Sequence, residues 1–169
     1  KGEIKIELDS DEMLISEEKY VKIPSAYEVE KYGESPDKYL ALTYDDGPDA
    51  TWTPEIINIL SKHHAPAAFF VVGLQAEKNL PILKRLYKEG FEIGNHTFTH
   101  ENIAKISPER AEVELKLTRL LIEAVTGHST ILFRAPYNAD SEPSTMEEII
   151  PVAMARKENY LDIGENIDP

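Results

Sequence analysis

The chain has 169 residues, 41% hydrophobic and 29% charged, enough to bury one globular core and ordinary for a soluble domain. Its formal net charge of −13 argues against nucleic acid, whose phosphates are bound mainly through Lys and Arg, and is compatible with a neutral or cationic glycan. No apolar run reaches the roughly 18 residues of a membrane-spanning helix, and the lack of cysteine excludes disulfides and thiolate metal sites.

The chain starts on Lys1 without a charged-then-apolar leader, and so reads as an excised or processed piece. Residues 1–38 read as a leader and linker ahead of a domain at 39–169. In the leader, Ile4, Ile6 and Leu8 alternate with charged neighbours, a period of two that predicts an exposed strand over Lys1–Asp9. The runs Asp9-Ser10-Asp11-Glu12 and Glu17-Glu18 are solvated loop charge, and Glu28–Lys38, with Gly33 and Pro36, is the linker.

The domain opens with a strand at Tyr39–Tyr44, followed by a helix from Thr53-Pro54 and a strand at Ala67–Val72. A helix from Asn79-Leu80-Pro81 ends at Gly90, ahead of a strand at Phe91–Gly94. The longest helix runs from Ser107-Pro108 to about Thr126, with Ala111, Leu115, Leu121 and Val125 among its apolar positions and Gly127 as its stop. A strand at Ile131–Arg134, a loop around Ser144, a helix at Pro151–Glu158 and a strand at Tyr160–Gly164 complete the pattern. Alternating strands and helices predict an α/β fold with a parallel sheet covered by helices.

The residues with chemical potential fall at the ends of those strands. Asp45 and Asp46 follow the first domain strand, His96 and His100 the third, Arg134 closes the fourth and Asp168 follows the fifth. Carboxyl ends of several strands are where a (β/α) barrel gathers its active site. Two imidazoles four positions apart can meet on one side of a tight turn, and one carboxylate completes a three-ligand metal set with coordination positions left open. A divalent ion held this way lowers the pKa of its water to about 7. Two adjacent carboxylates near one cation then divide roles, one ligating and one taking the proton. By contrast, His63, His64 and His128 sit at helix ends and read as surface or capping residues.

Three segments, Thr43-Tyr44-Asp45-Asp46-Gly47-Pro48, His96-Thr97-Phe98-Thr99-His100 and Arg134-Ala135-Pro136-Tyr137, resemble in order the first three signature motifs of the polysaccharide deacetylases. These are the carbohydrate esterases of family 4, built on the NodB homology domain. The resemblance covers the chain from about Tyr39 to its end. It implies a distorted (β/α) barrel, incomplete here with about five β/α units, and metal-dependent removal of N-acetyl groups from N-acetylglucosamine-containing polysaccharide. Asp45 would be the general base, and Asp46, His96 and His100 the ligands of a divalent metal, Zn2+ first, with Co2+ or Ni2+ as alternatives. Arg134 would orient Asp45, and the Tyr137 backbone N–H would hold the oxyanion. The implied partner is an N-acetylated glycan, and the implied location is extracellular or at the cell surface. The surroundings of the first motif and the terminal Asn166-Ile167-Asp168-Pro169 further resemble the deacetylase segment of membrane proteins that also carry a glycosyltransferase.

The family's fourth motif, Asp-x-x-Asp-Trp, would begin at Asp168, and the fifth, a Leu-x-His that carries the general acid, is not among these 169 residues. The resemblance therefore implies weak or no turnover for this piece alone, and an inactive or vestigial glycan-binding or scaffold module is the alternative. Two other rivals are a hydrolase of the same fold acting on small cyclic amides, in which the Asp pair is typically altered, and a non-haem iron oxygenase, which shares the two-His-one-carboxylate set. The latter uses a jelly-roll strand pattern instead of alternating strands and helices.

Overall fold

The computed structural model describes residues 39–137, 146–165 and 167, together with the backbone of four strands in the first thirty residues. Those strands are β1 (Glu3–Glu7), β2 (Met13–Ser16), β3 (Lys19–Lys22) and β4 (Ala26–Glu30). They form two antiparallel ribbons, β1 with β4 and β2 with β3. The leader thus holds more strand than its single alternating run predicts. The linker expected at 28–38 is strand as far as Glu30, and residues 31–38 lie outside those described.

Among the described residues the domain is one parallel sheet of five strands: β5 (Leu42–Tyr44), β6 (Ala67–Val71), β7 (Glu92–Asn95), β8 (Leu132–Phe133) and β9 (Leu161–Asp162). The helices are α1 (Trp52–His63), α2 (Gly73–Lys78), α3 (Leu80–Lys88), α4 (Pro108–Thr126) and α5 (Met146–Lys157), with a short 3-10 turn at Ile103–Lys105. The spatial order of the strands is their sequence order, without the reversal of a doubly wound sheet, so each unit advances the winding as in a barrel. Among the described residues β5 and β9 are the two edges, the open form that five units predict. No helix among the described residues is long and apolar enough to cross a membrane.

The core lies mainly between sheet and helices. Phe69 and Val71 of β6 and Ile93 of β7 pack with Ile57 and Leu60 of α1, Leu83 and Leu86 of α3 and Ile122 of α4. A second cluster joins Phe133 and Tyr160 to Ala111 and Leu115 of α4 and Met154 and Ala155 of α5. The strand period of two turns Phe70 and Gly94 the other way. A Cβ on Gly94 would fall 2.3 Å from the Phe70 ring, so glycine lets that ring lie flat on β7. The Arg134 guanidinium in turn sits 4.4 Å over Phe70.

Helix starts follow their caps. The Ser107 hydroxyl accepts the Arg110 N–H at 3.2 Å, and Gly127 closes α4 at φ 79°. Two expectations fail locally. Gly73–Lys78 is helical although neither a cap nor apolar periodicity announces it. Helix α5 starts at Met146, so Pro151 lies inside it and is not its first residue. Proline's fixed φ fits a helix while its missing N–H costs one bond, and buried Ile149, Met154 and Ala155 on the same element offset that loss. The loop expected around Ser144 lies outside the described residues.

Candidate active site

Asp45 and Asp46 leave the carboxyl end of β5 in a tight turn. Asp46 has a left-handed φ of 66°, and the Gly47 N–H donates to the Asp45 carbonyl at 2.9 Å. The Val72 N–H donates to the Gly47 carbonyl at 2.9 Å, which ties the turn to the exit of β6. Downstream, the Asp49 carboxylate accepts the N–H groups of Thr51 and Trp52, both at 2.7 Å, and these bonds hold its carboxyl below the usual range. The turn is therefore stapled to both a strand and the start of α1.

His96 and His100 leave the end of β7 on a loop that is strained at two points: Thr97 has φ 65° and His100 φ 64°. Left-handed backbone is costly for a β-branched residue, and a set of bonds holds it there. The Asn95 side chain accepts the Thr97 N–H at 2.9 Å while its amide donates to the Leu115 carbonyl at 2.8 Å and the Tyr160 hydroxyl at 2.7 Å. The Gly73 and Leu74 N–H groups donate to the carbonyls of Thr97 and Phe98 at 3.0 and 2.8 Å. Glu114 accepts the Phe98 and Thr99 N–H groups at 2.8 and 2.6 Å.

This scaffold brings three potential ligands together. Asp46 Oδ1 lies 3.3 Å from His96 Nε2 and 2.9 Å from His100 Nε2, and one ligand atom from each residue falls within 4.8 Å of the others. The His96 tautomer follows from its partner. Nδ1 lies 2.8 Å from the Arg134 carbonyl, which can only accept, so Nδ1 carries the proton and Nε2 of the neutral ring presents a lone pair. Burial holds His96 below the ordinary imidazole range despite opposing attraction from Asp45 and Asp46. A lone pair therefore faces a carboxylate oxygen, an arrangement that a cation between them satisfies. The donor set, two imidazoles and one carboxylate with open positions, fits a divalent transition metal.

Arg134 follows β8 with its side chain only 2% exposed. Nη1 donates to Asp45 Oδ1 and Oδ2 at 3.0 and 3.2 Å and to Thr43 Oγ1 at 2.9 Å. Tyr137, at φ 65°, places its hydroxyl 3.1 Å from His100 Nδ1, with the rings edge to face. All six residues named from the sequence thus stand at the carboxyl ends of the strands. His63 is the last residue of α1, His64 its left-handed cap, and His128 stacks on Tyr87 just before β8. They precede β6 and β8 and so lie toward the amino ends of those strands, away from the site. Asp168 lies outside the described residues.

Sequence reasoning missed Asn95 and Glu114. The signal for Glu114 was present: it occupies the buried stripe Ala111, Glu114, Leu115, Thr118 and Ile122 of α4, where a charge is out of place unless it has partners.

Comparison with known proteins bears on the family and the fold. A family model described as polysaccharide deacetylase matches residues 32–149. A peptidoglycan-N-acetylglucosamine deacetylase of Bacillus cereus is 35% identical over 122 residues, 72% of this chain but only 42% of that protein. The solved structure of the peptidoglycan deacetylase PdaC from Bacillus subtilis superposes with a TM-score of 0.62 at 30% identity, covering 74% of this chain and 56% of that one. A pseudoenzyme of carbohydrate esterase family 4 from Bacillus anthracis reaches 0.64 at 28% identity, over 77% and 44%. The chain spans about half the length of these relatives.

Proposed function

The chain belongs to the polysaccharide deacetylase family, and from that premise we propose that it supplies the metal and base half of a hydrolase that removes N-acetyl groups from N-acetylglucosamine-containing polysaccharide. The observation that carries this reading is the His96 tautomer: its Nδ1–H is committed to the Arg134 carbonyl, and its free Nε2 faces Asp46 Oδ1 at 3.3 Å, beside His100.

Asp46, His96 and His100 would hold one divalent ion, zinc first, with Co2+ or Ni2+ able to replace it. When bound, the ion supplies Lewis acidity toward the acetyl carbonyl and a water of near-neutral pKa. Asp45 would accept the proton of the water whose oxygen adds to the carbonyl carbon. Arg134, donating from Nη1 to both carboxylate oxygens, fixes the direction of the Asp45 lone pairs. The Tyr137 N–H donates to the oxygen that gains charge. Breaking the carbon–nitrogen bond then gives acetate and an amine, whose proton comes, by the family resemblance, from a Leu-x-His beyond the three motifs held here.

The name of the Bacillus cereus relative supports a cell-wall glycan as substrate and a location outside the cytoplasmic membrane. A fused glycosyltransferase and membrane segment rest on sequence resemblance alone. A vestigial glycan-binding module is the second reading, favoured by the likeness to the pseudoenzyme. Zinc titration calorimetry separates the two when combined with acetate release from chitin oligomers by the full-length protein. The hydrolase reading expects one ion per chain, lost in Asp46→Ala, and metal-dependent acetate. Glycan binding with neither zinc uptake nor acetate would establish the second reading instead.

A further inference from the structure

We infer that Glu114, in the middle of α4 and outside all three motifs, is a positioning residue that shapes the His96–His100 loop for metal; the inference rests on the reading of Asp46, His96 and His100 as ligands. The Glu114 side chain is 1% exposed. Its Oε2 accepts the N–H groups of Phe98 and Thr99 at 2.8 and 2.6 Å, and its Oε1 accepts the Thr99 hydroxyl at 2.8 Å and an Arg110 N–H at 2.6 Å. Four donors meet the four lone-pair sites of a carboxylate.

The position of those donors gives the contact a role beyond holding α4 in place. Phe98 and Thr99 are the two residues between the left-handed Thr97 and the left-handed His100. One oxygen gripping both N–H groups sets two successive peptide planes, and with them the direction in which His100 leaves the loop. On the opposite side Gly73 and Leu74 hold the carbonyls of Thr97 and Phe98. The loop is clamped at its acceptors by α2 and at its donors by Glu114. Without the carboxylate, two part-buried N–H groups lose their partner and strained Thr97 can relax to ordinary backbone. His100 Nε2, 2.9 Å from Asp46, then loses its fixed place.

Glutamine keeps the shape of Glu114 but turns one acceptor into a donor toward Thr99 or Arg110. Zinc titration calorimetry on this chain should show about 10-fold to 100-fold weaker binding for Glu114→Gln, the range seen when a group that orients a ligand is lost. Thr99→Val, which removes the hydroxyl's bond to Glu114 and the long one it accepts from Arg110, should weaken zinc about 2-fold to 10-fold. A core variant remote from the loop, Ile57→Val, should leave affinity within about twofold while lowering the melting temperature, since its cost is lost packing. Unchanged zinc affinity in Glu114→Gln overturns the inference, as does an equal loss in Ile57→Val. If Glu114→Gln does not fold, Thr99→Val decides, and unchanged affinity there overturns it. Wild-type chain that takes up no zinc refutes the ligand reading itself, a separate outcome.

Discussion

Arg134 and Asp45, 89 residues apart, are joined by a guanidinium that is not free to follow the carboxylate. While Nη1 donates to both Asp45 oxygens at 3.0 and 3.2 Å, Nε donates to the Ile163 carbonyl at 2.9 Å and Nη2 to the Gly164 carbonyl at 3.1 Å. The fork is thus held by the chain leaving β9, and Asp45, leaving β5, takes its orientation from it. One side chain ties together the exits of the two edge strands.

Lysine cannot reproduce this, because a point charge lacks the planar fork. Arg134→Lys is expected to keep zinc affinity within a few-fold but to reduce acetate release by the full-length protein about 100-fold, the scale of a displacement of about 1 Å at a reacting group. Calorimetry and an acetate assay on the same preparation check both halves.

Neighbouring carboxylates should separate in their effects. Asp45→Asn removes a proton acceptor, and acetate release should fall about 100-fold to 10,000-fold with zinc binding nearly intact. Asp46→Asn should weaken zinc itself. Titration showing the reverse order would exchange the two assignments.

Two glycines should respond differently to the same substitution. A Cβ on Gly73 would lie 2.1 Å from Phe98 Cδ2 and 2.7 Å from Thr118 Oγ1, so Gly73→Ala should cost about 1–3 kcal/mol from overpacking and weaken zinc by displacing Phe98. Gly127 has open space around it but φ 79°. Gly127→Ala should cost about 1–2 kcal/mol of backbone strain and leave zinc binding unchanged. Urea unfolding with parallel zinc titration distinguishes the cases.

His96 gives the metal-free chain a pH dependence of definite sign. Burial holds its imidazole below the ordinary value of 6.5, so as pH falls below about 6.5 the unfolded chain takes a proton that the folded chain refuses, and stability drops. Asp49, Glu89, Glu109 and Glu112, all lowered, act below the ordinary carboxylate values of 3.8 and 4.5. Asp162 works the other way: desolvation pushes it up to about 7 against the opposing attraction of Arg134 and a bond from the Ile163 N–H, and its contribution is lost as pH rises. Comparing wild type with His96→Gln in chelator cancels the carboxylates. Urea midpoints between pH 5 and 7 should fall more steeply toward acid in the wild type.

Much of this arrangement was legible in the sequence, for identifiable reasons. Strand ends were marked by apolar runs meeting Asp45, His96 and Arg134, and parallel units place such ends on one face. Pro108 and Gly127 bracketed α4 because caps act locally. What escaped depends on distant contacts. Pro151 inside α5 is tolerated through burial of its neighbours, which no local signal reports. Gly73 starts a helix because Thr97 and Phe98, across the fold, accept its first N–H groups. Asn95 acts mostly through main-chain groups, which carry no residue identity to read, and Glu114 was visible as a charge in an apolar stripe but not the loop that it holds.

Asp46 differs from its companion His96 in one further respect: its side chain is 70% exposed, against 4% for the imidazole. An ion held by these residues would have packed protein on one side and water on the other, so it could be reached past a single carboxylate without opening the core. A chelator would then strip the ion from folded protein, and cobalt would enter without a denaturation step.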